Sequence, residues 1–169
     1  MRIFFCGAQG TGKSTLVYKL AHHFLSMKVY DSMSSLFMKR KEEQFTDTFQ
    51  NRVNVYCFNI FLNSTEDLIM SRSIIDSLAM NTKMKDIKYI QSLVKDSIRC
   101  DDYYFYLPIE FEISQREDGL RVLDSKYQKK IDKRIFKYFS MFPSQNKFII
   151  RGTIEERLQS ILKVIRNGN

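Results

Sequence analysis

Short, mostly apolar runs alternate with amphipathic segments along this chain of 169 residues. The runs are rich in β-favouring residues and too short for helices, and they cover 2–6, 28–30, 68–70, 103–107 and 148–150. Apolar side chains recur at helical spacing over 13–26, 47–62, 126–139 and from 154 onward, and 73–99 reads as one or two helices. Strands that alternate with helices predict an α/β fold, with a parallel sheet covered on both faces.

The chain contains no internal repeat and no Pro/Gly/Ser-rich linker. We therefore expect one domain over residues 1–169. The polar stretch at about 109–125 follows neither the helical nor the strand period, and we expect a long surface excursion there. Thr153 and Glu156 have the spacing of a capping box, which predicts that the final helix begins next to Thr153.

Composition narrows the class of partner. The chain has 27 Lys and Arg against 19 Asp and Glu, a formal charge of +8, which favours phosphates, nucleotides or nucleic acid. Cys6, Cys57 and Cys100 form no C-x-x-C pair, which fits neither a disulfide framework nor a zinc site and predicts a reducing, cytoplasmic setting. Every apolar run is far shorter than the roughly 18 residues that a membrane span requires, so we expect no membrane partner.

One motif carries most of the functional information. It fits G-x-x-x-x-G-K-[ST] between the first strand and the first helix, and it reads Gly7-Ala8-Gln9-Gly10-Thr11-Gly12-Lys13-Ser14. We expect this loop, with the adjoining Thr15, to surround the phosphates of a nucleoside triphosphate at a helix N-terminus. Lys13 is then placed to reach the β and γ oxygens, and the Ser14 hydroxyl to bind Mg²⁺.

The phosphate loop alone does not distinguish between GTPases, motors and kinases. The chain has no Asn-Lys-x-Asp segment of the kind that reads guanine in GTPases. Motor and helicase domains carry an acidic residue at the end of a buried strand, whereas the strand at 68–70 is followed by Ser71-Arg72-Ser73. This ending disfavours motors and helicases.

At these residues the chain resembles the P-loop nucleoside and nucleotide kinases, a family that includes deoxynucleoside kinases, thymidylate kinases and ribosylnicotinamide kinase-like domains of phage genomes. The resemblance spans nearly the whole chain. Besides the phosphate loop it rests on the segments Ser71-Arg72-Ser73 through Ala79, Tyr104 to Pro108, Asp118-Gly119-Leu120-Arg121, and Ile149 through Arg157. It implies a three-layer α/β fold with strand order 2-3-1-4-5, a mobile lid at about 109–125, and ATP with Mg²⁺ as the phosphoryl donor.

Phosphoryl transfer depends mainly on cations around the γ-phosphate, so arginines are the first candidates. Arg72 follows a buried strand at its C-terminal end, where ligands bind in open α/β sheets, and its alternative is a salt bridge to Asp76 or Asp31. Arg121 and the weaker candidate Arg116 lie in the lid, where closure would bring them onto the transferred group.

The resemblance also implies a carboxylate near the acceptor hydroxyl, for which Asp31 is the candidate general base; the alternative is a helix N-cap. Similar kinases read a nucleobase with a Gln on the second helix, which here is Gln50, and Gly152 falls in the turn near the adenine. Phe45, Phe49 and Tyr56 could stack on a base, although aromatics at this spacing are more often core.

The chain departs from the family where Ser71 replaces the acidic residue that is expected to hold a water on Mg²⁺. Either Asp31 or Asp76 takes that task, or catalysis is slow, or the chain is a non-catalytic nucleotide-binding regulator. The main expectation is an ATP-dependent kinase that acts on a nucleoside or nucleotide and, as in similar kinases, forms a homodimer. The alternative is a kinase acting on DNA, either at a 5′ end or on a hydroxymethylated base, with the basic face at 126–137 holding the backbone.

Overall fold

The computed structural model describes residues 1–31, 36–37, 46–80, 87–110 and 124–168. The strands in this part of the chain are β1 (Arg2–Cys6), β2 (Lys28–Tyr30), β3 (Leu68–Met70), β4 (Asp102–Tyr106) and β5 (Lys147–Ile149). The helices are α1 (Lys13–Ala21), α2 (Asp47–Asn63), α3 (Ile74–Met80), α4 (Ile87–Asp96), α5 (Ser125–Met141) and α6 (Ile154–Gly168). The predicted lid arginines, Arg116 and Arg121, lie outside the described residues.

The strands form one parallel sheet in the order β2-β3-β1-β4-β5, which confirms the predicted strand order. Phe4 of β1 pairs with Met70 of β3 on one side and with Tyr104 of β4 on the other. In the same register Tyr30 of β2 pairs with Met70. The C-terminal ends of these four strands therefore meet at one edge of the sheet, where ligands bind in open α/β folds.

Helices cover both faces of the sheet, as predicted. Phe4 and Cys6 of β1 point into an apolar cluster with side chains of α2, α3 and α5, whereas Ile3 and Phe5 point into a second cluster with α1 and α6. The side chains of β1 are fully or almost fully buried. Because β1 is central and covered on both sides, the phosphate loop that follows it starts from a rigid base.

The first helix ends earlier than its pattern predicted. Apolar spacing continues to residue 26, yet α1 ends at Ala21 and the chain then tightens into turns, with His23 N–H donating to Leu20 and Met27 N–H to Phe24. Leu25, one of the apolar residues at that spacing, is 87% exposed. Turning here lets Lys28 N–H donate to the carbonyl of Asp67 and start β2 beside β3.

A buried ion pair between Arg2 and Asp102 stabilises the end of the sheet where β1 and β4 begin. Nε and Nη2 of Arg2 donate to the two carboxylate oxygens of Asp102 at 2.7 and 2.6 Å, and Nη1 donates to the carbonyl of Phe61. Both side chains are almost completely buried. The guanidinium stacks against the rings of Phe4 and Phe61, so this pair ties β1 to β4 and α2 at the end of the sheet away from the phosphate loop.

Candidate active site

Gly7 opens the phosphate loop in a backbone conformation that requires glycine. Its φ is +143°, and a Cβ there would lie 2.5 Å from the carbonyl oxygen of Leu107, which follows β4. Gly12, at the other end of the loop, has φ +87° and precedes α1 directly. The two glycines let the chain curl from the end of β1 into the first turn of α1.

The N-terminus of α1 is shaped for an anion. No side chain of a described residue caps it, which leaves the first-turn N–H groups for an external acceptor. The ammonium of Lys13 folds over the loop and donates to the carbonyls of Gly7 and Ala8, both at 2.6 Å. Uncapped N–H groups and this cation together form a site for phosphate.

Asp76 ties the loop to the helix behind it. Its Oδ1 accepts from Gly7 N–H at 3.0 Å, and its Oδ2 accepts from the Ser73 N–H and hydroxyl at 2.9 and 2.5 Å. Ser73 in turn caps α3 by accepting from the N–H groups of Ile75 and Asp76. Burial raises the pKa of Asp76, and Lys13, Ser73 and the Gly7 N–H offset part of that rise. Both oxygens are engaged by the protein, so Asp76 is poorly suited to replace the acid missing at Ser71.

Helix α5 holds the other side of the loop through two residues that the sequence did not reveal. Gln128, almost fully buried, donates from Nε2 to the carbonyl of Gln9 at 2.6 Å. Asp132 accepts from the Tyr106 hydroxyl at 2.9 Å. Burial raises the pKa of Asp132, and the Tyr106 hydroxyl, the Ala8 N–H and Lys13 offset part of the rise. The signal for Asp132 was its place as the one acid in a run of lysines, on the edge of the apolar face.

Arg72 lies just beyond β3, in register with the end of β1. Its Nη2 donates to Oδ1 of Asn54 at 2.8 Å and to Oε1 of Gln50 at 3.3 Å, both on α2. The structure therefore brings the predicted Arg72 and Gln50 together, and it pairs Arg72 with these amides rather than with a carboxylate. Asn54 was missed, because it sits among apolar residues on the buried face of α2 and its side chain is only 1% exposed.

The cluster of Arg72 and Asn54 contains buried donors without acceptors. Nε of Arg72 and Nδ2 of Asn54 are both buried, and neither has a hydrogen-bond acceptor among the described residues. Unsatisfied buried donors cost roughly 1–3 kcal/mol each. The arrangement thus favours an added ligand that accepts hydrogen bonds.

Asp31 lies at the end of β2, two strands from the phosphate loop. It is half-buried, and the adjoining Tyr30 carbonyl accepts from the N–H of Ser71, so Asp31 and Ser71 follow neighbouring strands at the same edge. The structure places Asp31 at the edge that carries the phosphate loop, and its role as general base stays a prediction.

A buried arginine joins the turn at Gly152 to the phosphate loop. Arg157 of α6 is fully buried; it donates to the carbonyls of Thr11 and Gly152 at 2.7 and 2.9 Å and to the Glu110 carboxylate at 2.8 Å. Glu110 also accepts from Gly152 N–H at 2.8 Å and from Arg151. Burial alone would raise the pKa of Glu110, but these donors outweigh it and lower the pKa. Arg157 belongs to a segment that resembles the kinases in sequence, but no role was predicted for this arginine.

The aromatic residues considered for stacking on a base differ in their surroundings. Phe49 is 4% exposed and belongs to the core, which is the usual place for an aromatic residue at this spacing. Tyr56 is half-buried and packs edge-on against Phe37, with ring centroids 5.5 Å apart. Phe45 lies outside the described residues.

The chain is similar to known proteins both in sequence and in fold. A family model described as RNA helicase matches residues 3–97, which run from β1 through the phosphate loop to the end of α4. The chain belongs to this RNA helicase family. Its membership stands against the expectation, drawn from Ser71, that helicases could be set aside. That expectation rested on the single position after β3, whereas the family model matches residues 3–97 as a whole.

The fold itself is that of P-loop nucleoside and nucleotide kinases. The deoxyadenosine kinase of M. mycoides, solved with dCMP and dCDP, is 12% identical, with a TM-score of 0.74 over 100% of both chains. The thymidylate kinase of Candida albicans is 16% identical, with a TM-score of 0.68 over 98% of this chain and 91% of its own. The shikimate kinase of Aquifex aeolicus, 17% identical over 99% and 97%, has a TM-score of 0.57. No curated protein matches the sequence.

Two features are absent from the described residues. No helix there is both long enough and apolar enough to span a bilayer. No group of three or more His, Cys, Asp or Glu residues there gathers around a point where a metal could sit.

Proposed function

We propose that this chain transfers the γ-phosphate of ATP to a hydroxyl or phosphate of a nucleoside or nucleotide. The observation that carries the proposal is a second polar site beside the phosphate loop, formed by Arg72 with Gln50 and Asn54. Hydrolysis of ATP requires water alone, whereas transfer requires a place that orients an acceptor. The sheet order puts the two sites on adjoining strands, β1 and β3.

The phosphate loop fits the donor nucleotide. The uncapped N-terminus of α1 and the Lys13 ammonium would hold the β- and γ-phosphates, and the Ser14 hydroxyl would contact the magnesium ion. Magnesium, when bound with ATP, neutralises charge on the β- and γ-phosphates. Gly152, joined to Thr11 through Arg157, would lie beside the adenine.

The acceptor half uses groups from β2, β3 and α2. Asp31 would accept the proton of the acceptor hydroxyl as general base. Arg72 would stabilise negative charge as the phosphoryl group moves, and Gln50 would hydrogen-bond the edge of the acceptor's base. Arg116 and Arg121 would add positive charge when the lid closes.

Membership of the RNA helicase family favours a second candidate, in which ATP use is coupled to a polynucleotide. One form of it is hydrolysis stimulated by RNA, and another is a kinase that phosphorylates DNA at a 5′ end or on a hydroxymethylated base. A third possibility, a non-catalytic regulator, follows from Ser71 in place of an acid. These candidates differ in what becomes of the γ-phosphate.

A transfer assay with γ-labelled ATP and Mg²⁺ distinguishes them. The acceptors are a panel of nucleosides, nucleoside monophosphates, and plain and hydroxymethylated DNA, each assayed with the natural chain, with Lys13→Ala and with Asp31→Asn. Label on a nucleoside or nucleotide that both substitutions abolish supports the main proposal. Label on DNA alone favours the DNA kinase, and no label with ATP still bound contradicts a kinase function for this panel.

A further inference from the structure

A cavity of about 340 Å³ lies between α3, α4 and the C-terminal end of α5. None of the described residues that line it belongs to the phosphate loop or to the cluster of Arg72, Gln50 and Asn54. Its volume lies within the roughly 300–1,000 Å³ of pockets that bind small molecules. Apolar residues supply most of its lining, and they are Leu78, Val94, Tyr138, Met141, Phe142 and Pro143. We call this space the helix cavity.

The helix cavity combines buried apolar residues with exposed ones. Leu78 of α3 and Val94 of α4 are only 2% and 1% exposed. Met141 of α5 is 66% exposed, and Ser92 and Lys95 of α4 are exposed as well. The cavity therefore has a buried apolar floor and a mouth that solvent reaches. A flexible methionine at the mouth suits an apolar ligand, because a thioether packs well against rings and alkyl chains.

Lys95 supplies the charge of the helix cavity. The other polar side chains in its lining are the neutral hydroxyls of Ser92 and Tyr138, and no carboxylate lines it among the described residues. Within that part of the chain the Lys95 ammonium forms no ion pair. The polar side of the cavity therefore offers one cation and two hydroxyls, a set that favours an anionic ligand.

The ends of two helices bear on the sign of the ligand's charge. A helix C-terminus carries partial negative charge on its last carbonyls, which would repel an anion. At the end of α5 the Lys147 ammonium donates to the carbonyls of Phe139 and Ser140 at 3.0 and 3.1 Å. At the end of α4 the Ser97 hydroxyl donates to the carbonyl of Leu93 at 2.8 Å. These donors offset part of the repulsion, so the ammonium of Lys95 decides the sign.

We infer that the helix cavity binds a small apolar carboxylic acid. The ring or alkyl chain of the acid packs against Leu78, Val94 and Met141, and its carboxylate pairs with the Lys95 ammonium. Burial of the apolar part supplies most of the affinity, at roughly 25 cal/mol for each Å² removed from water. The ion pair at the mouth adds less energy and selects acids over neutral and basic molecules of the same shape.

The probe is 3-phenylpropionate, with 3-phenylpropanol and 3-phenylpropylamine as its neutral and cationic counterparts. Binding is followed by NMR of the chain labelled with ¹³C at the methionine methyl groups, where Met141→Leu identifies the signal of Met141. We expect this signal to shift and saturate with the acid, while the signal of Met27, in the cluster on the other face of the sheet, stays in place. The alcohol should bind about 5- to 10-fold more weakly than the acid, and the amine more weakly still.

Two matched variants test the place of the carboxylate. Lys95→Gln should weaken binding of the acid about 5- to 10-fold and leave binding of the alcohol nearly unchanged. Lys163→Gln, the same charge change at an exposed position of α6, should alter neither. Val94→Phe should fill the cavity and abolish binding of both molecules. Circular dichroism checks that each variant is folded, and the two lysine variants test the inference even if Val94→Phe does not fold.

The inference does not depend on the proposed phosphoryl transfer, because the helix cavity shares no described lining residue with the candidate active site. Lys13→Ala should therefore bind the acid as the natural chain does, and saturating ATP should not displace it. Failure of the transfer assay and failure of this inference thus remain distinguishable.

Several results would overturn the inference. They are the absence of a saturable shift of the Met141 methyl up to about 10 mM acid, an equal loss of affinity in Lys163→Gln, and an alcohol or amine that binds as tightly as the acid. Displacement of the acid by ATP would place it in the nucleotide site instead. A Met141 signal that moves with protein concentration alone would mean that a second copy of the chain covers the cavity. A loss confined to Lys95→Gln and to the acid would support the inference.

Discussion

The carboxylate of Asp76 accepts a hydrogen bond from the backbone N–H of Gly7 at 3.0 Å, linking the first residue of the phosphate loop to α3 across 69 positions of sequence. The same carboxylate accepts from the N–H and hydroxyl of Ser73. It therefore fixes where the loop begins and how α3 starts. The loop owes its shape to this contact as well as to its glycines.

Replacing Asp76 with Asn should weaken this link. An amide offers one oxygen, so either Gly7 N–H or Ser73 would face an NH₂ group in a fully buried place. We expect the free energy of unfolding to fall by about 1–3 kcal/mol and ATP to bind more weakly. Urea denaturation and nucleotide titration measure the two effects. Ser77→Ala, a buried change on the same helix away from Gly7, is the control; an equal loss of ATP affinity in that variant would contradict the account.

Asn54 should act on the reaction through Arg72. Asn54→Leu removes the acceptor that orients the guanidinium, so kcat should fall about 10–100-fold while KM for ATP stays nearly constant. Asn54→Asp keeps an oxygen toward Arg72 and should retain more activity. The exposed Asn51 on the same helix supplies the matched control, Asn51→Leu. A rise in KM for ATP without loss of kcat would instead assign Asn54 to the donor site.

Glu110 should make stability depend on pH in acid. Its pKa is lowered in the folded chain, chiefly by Arg157, the Gly152 N–H and Arg151 acting against burial. A lowered folded pKa means that the ionised group stabilises the fold above its unfolded pKa of about 4.3, and that this contribution is lost as the pH falls through the folded value. Glu110→Gln should therefore be less stable than the natural chain at pH 7, by about 1.5–3 kcal/mol.

The same comparison at low pH checks the sign. The difference in free energy of unfolding between Glu110→Gln and the natural chain should shrink steadily below about pH 4.3. Denaturant titration at each pH measures it. A difference that stays constant down to pH 3 would show that the carboxylate charge plays no part in holding the Gly152 turn.

The ion pair of Arg2 and Asp102 should stabilise the fold without affecting ATP binding. Arg2→Met leaves the fully buried Asp102 carboxylate without its cation, which should cost about 3–5 kcal/mol. The pair lies at the far end of β1, about 16 Å of extended strand from Gly7. ATP affinity of the folded fraction should therefore remain unchanged in isothermal titration. Weaker ATP binding by folded Arg2→Met protein would mean that the two ends of the sheet are coupled.

Much of the fold followed from local patterns. Five short apolar runs, amphipathic helices and one phosphate-loop motif were enough for an α/β class, and the kinase resemblance supplied the strand order that the sheet has. The predicted end of α1 was wrong. Apolar spacing continues past Ala21, whereas the turn that returns the chain to β2 is set by the contact of Lys28 with Asp67.

The parts of the site that escaped prediction depend on contacts between distant residues. Asn54 reads as one more position on a buried helix face, and only its 2.8 Å contact with Arg72 places it in the candidate site. Arg157 reads as an exposed charge near a helix start, whereas it is fully buried because it satisfies carbonyls of Thr11, Pro108 and Gly152. Such pairings require the sheet to be assembled first.

The central claim is that ATP is consumed by transfer to a nucleoside or nucleotide, and the most direct test is to count ADP and phosphorylated acceptor in the same reaction. The account predicts that ADP forms only when an acceptor is present, with one phosphorylated acceptor for each ADP, and that Lys13→Ala reduces both by about 10²–10³-fold. ADP released with free phosphate, without acceptor and stimulated by a polynucleotide, would contradict it and assign the site to hydrolysis.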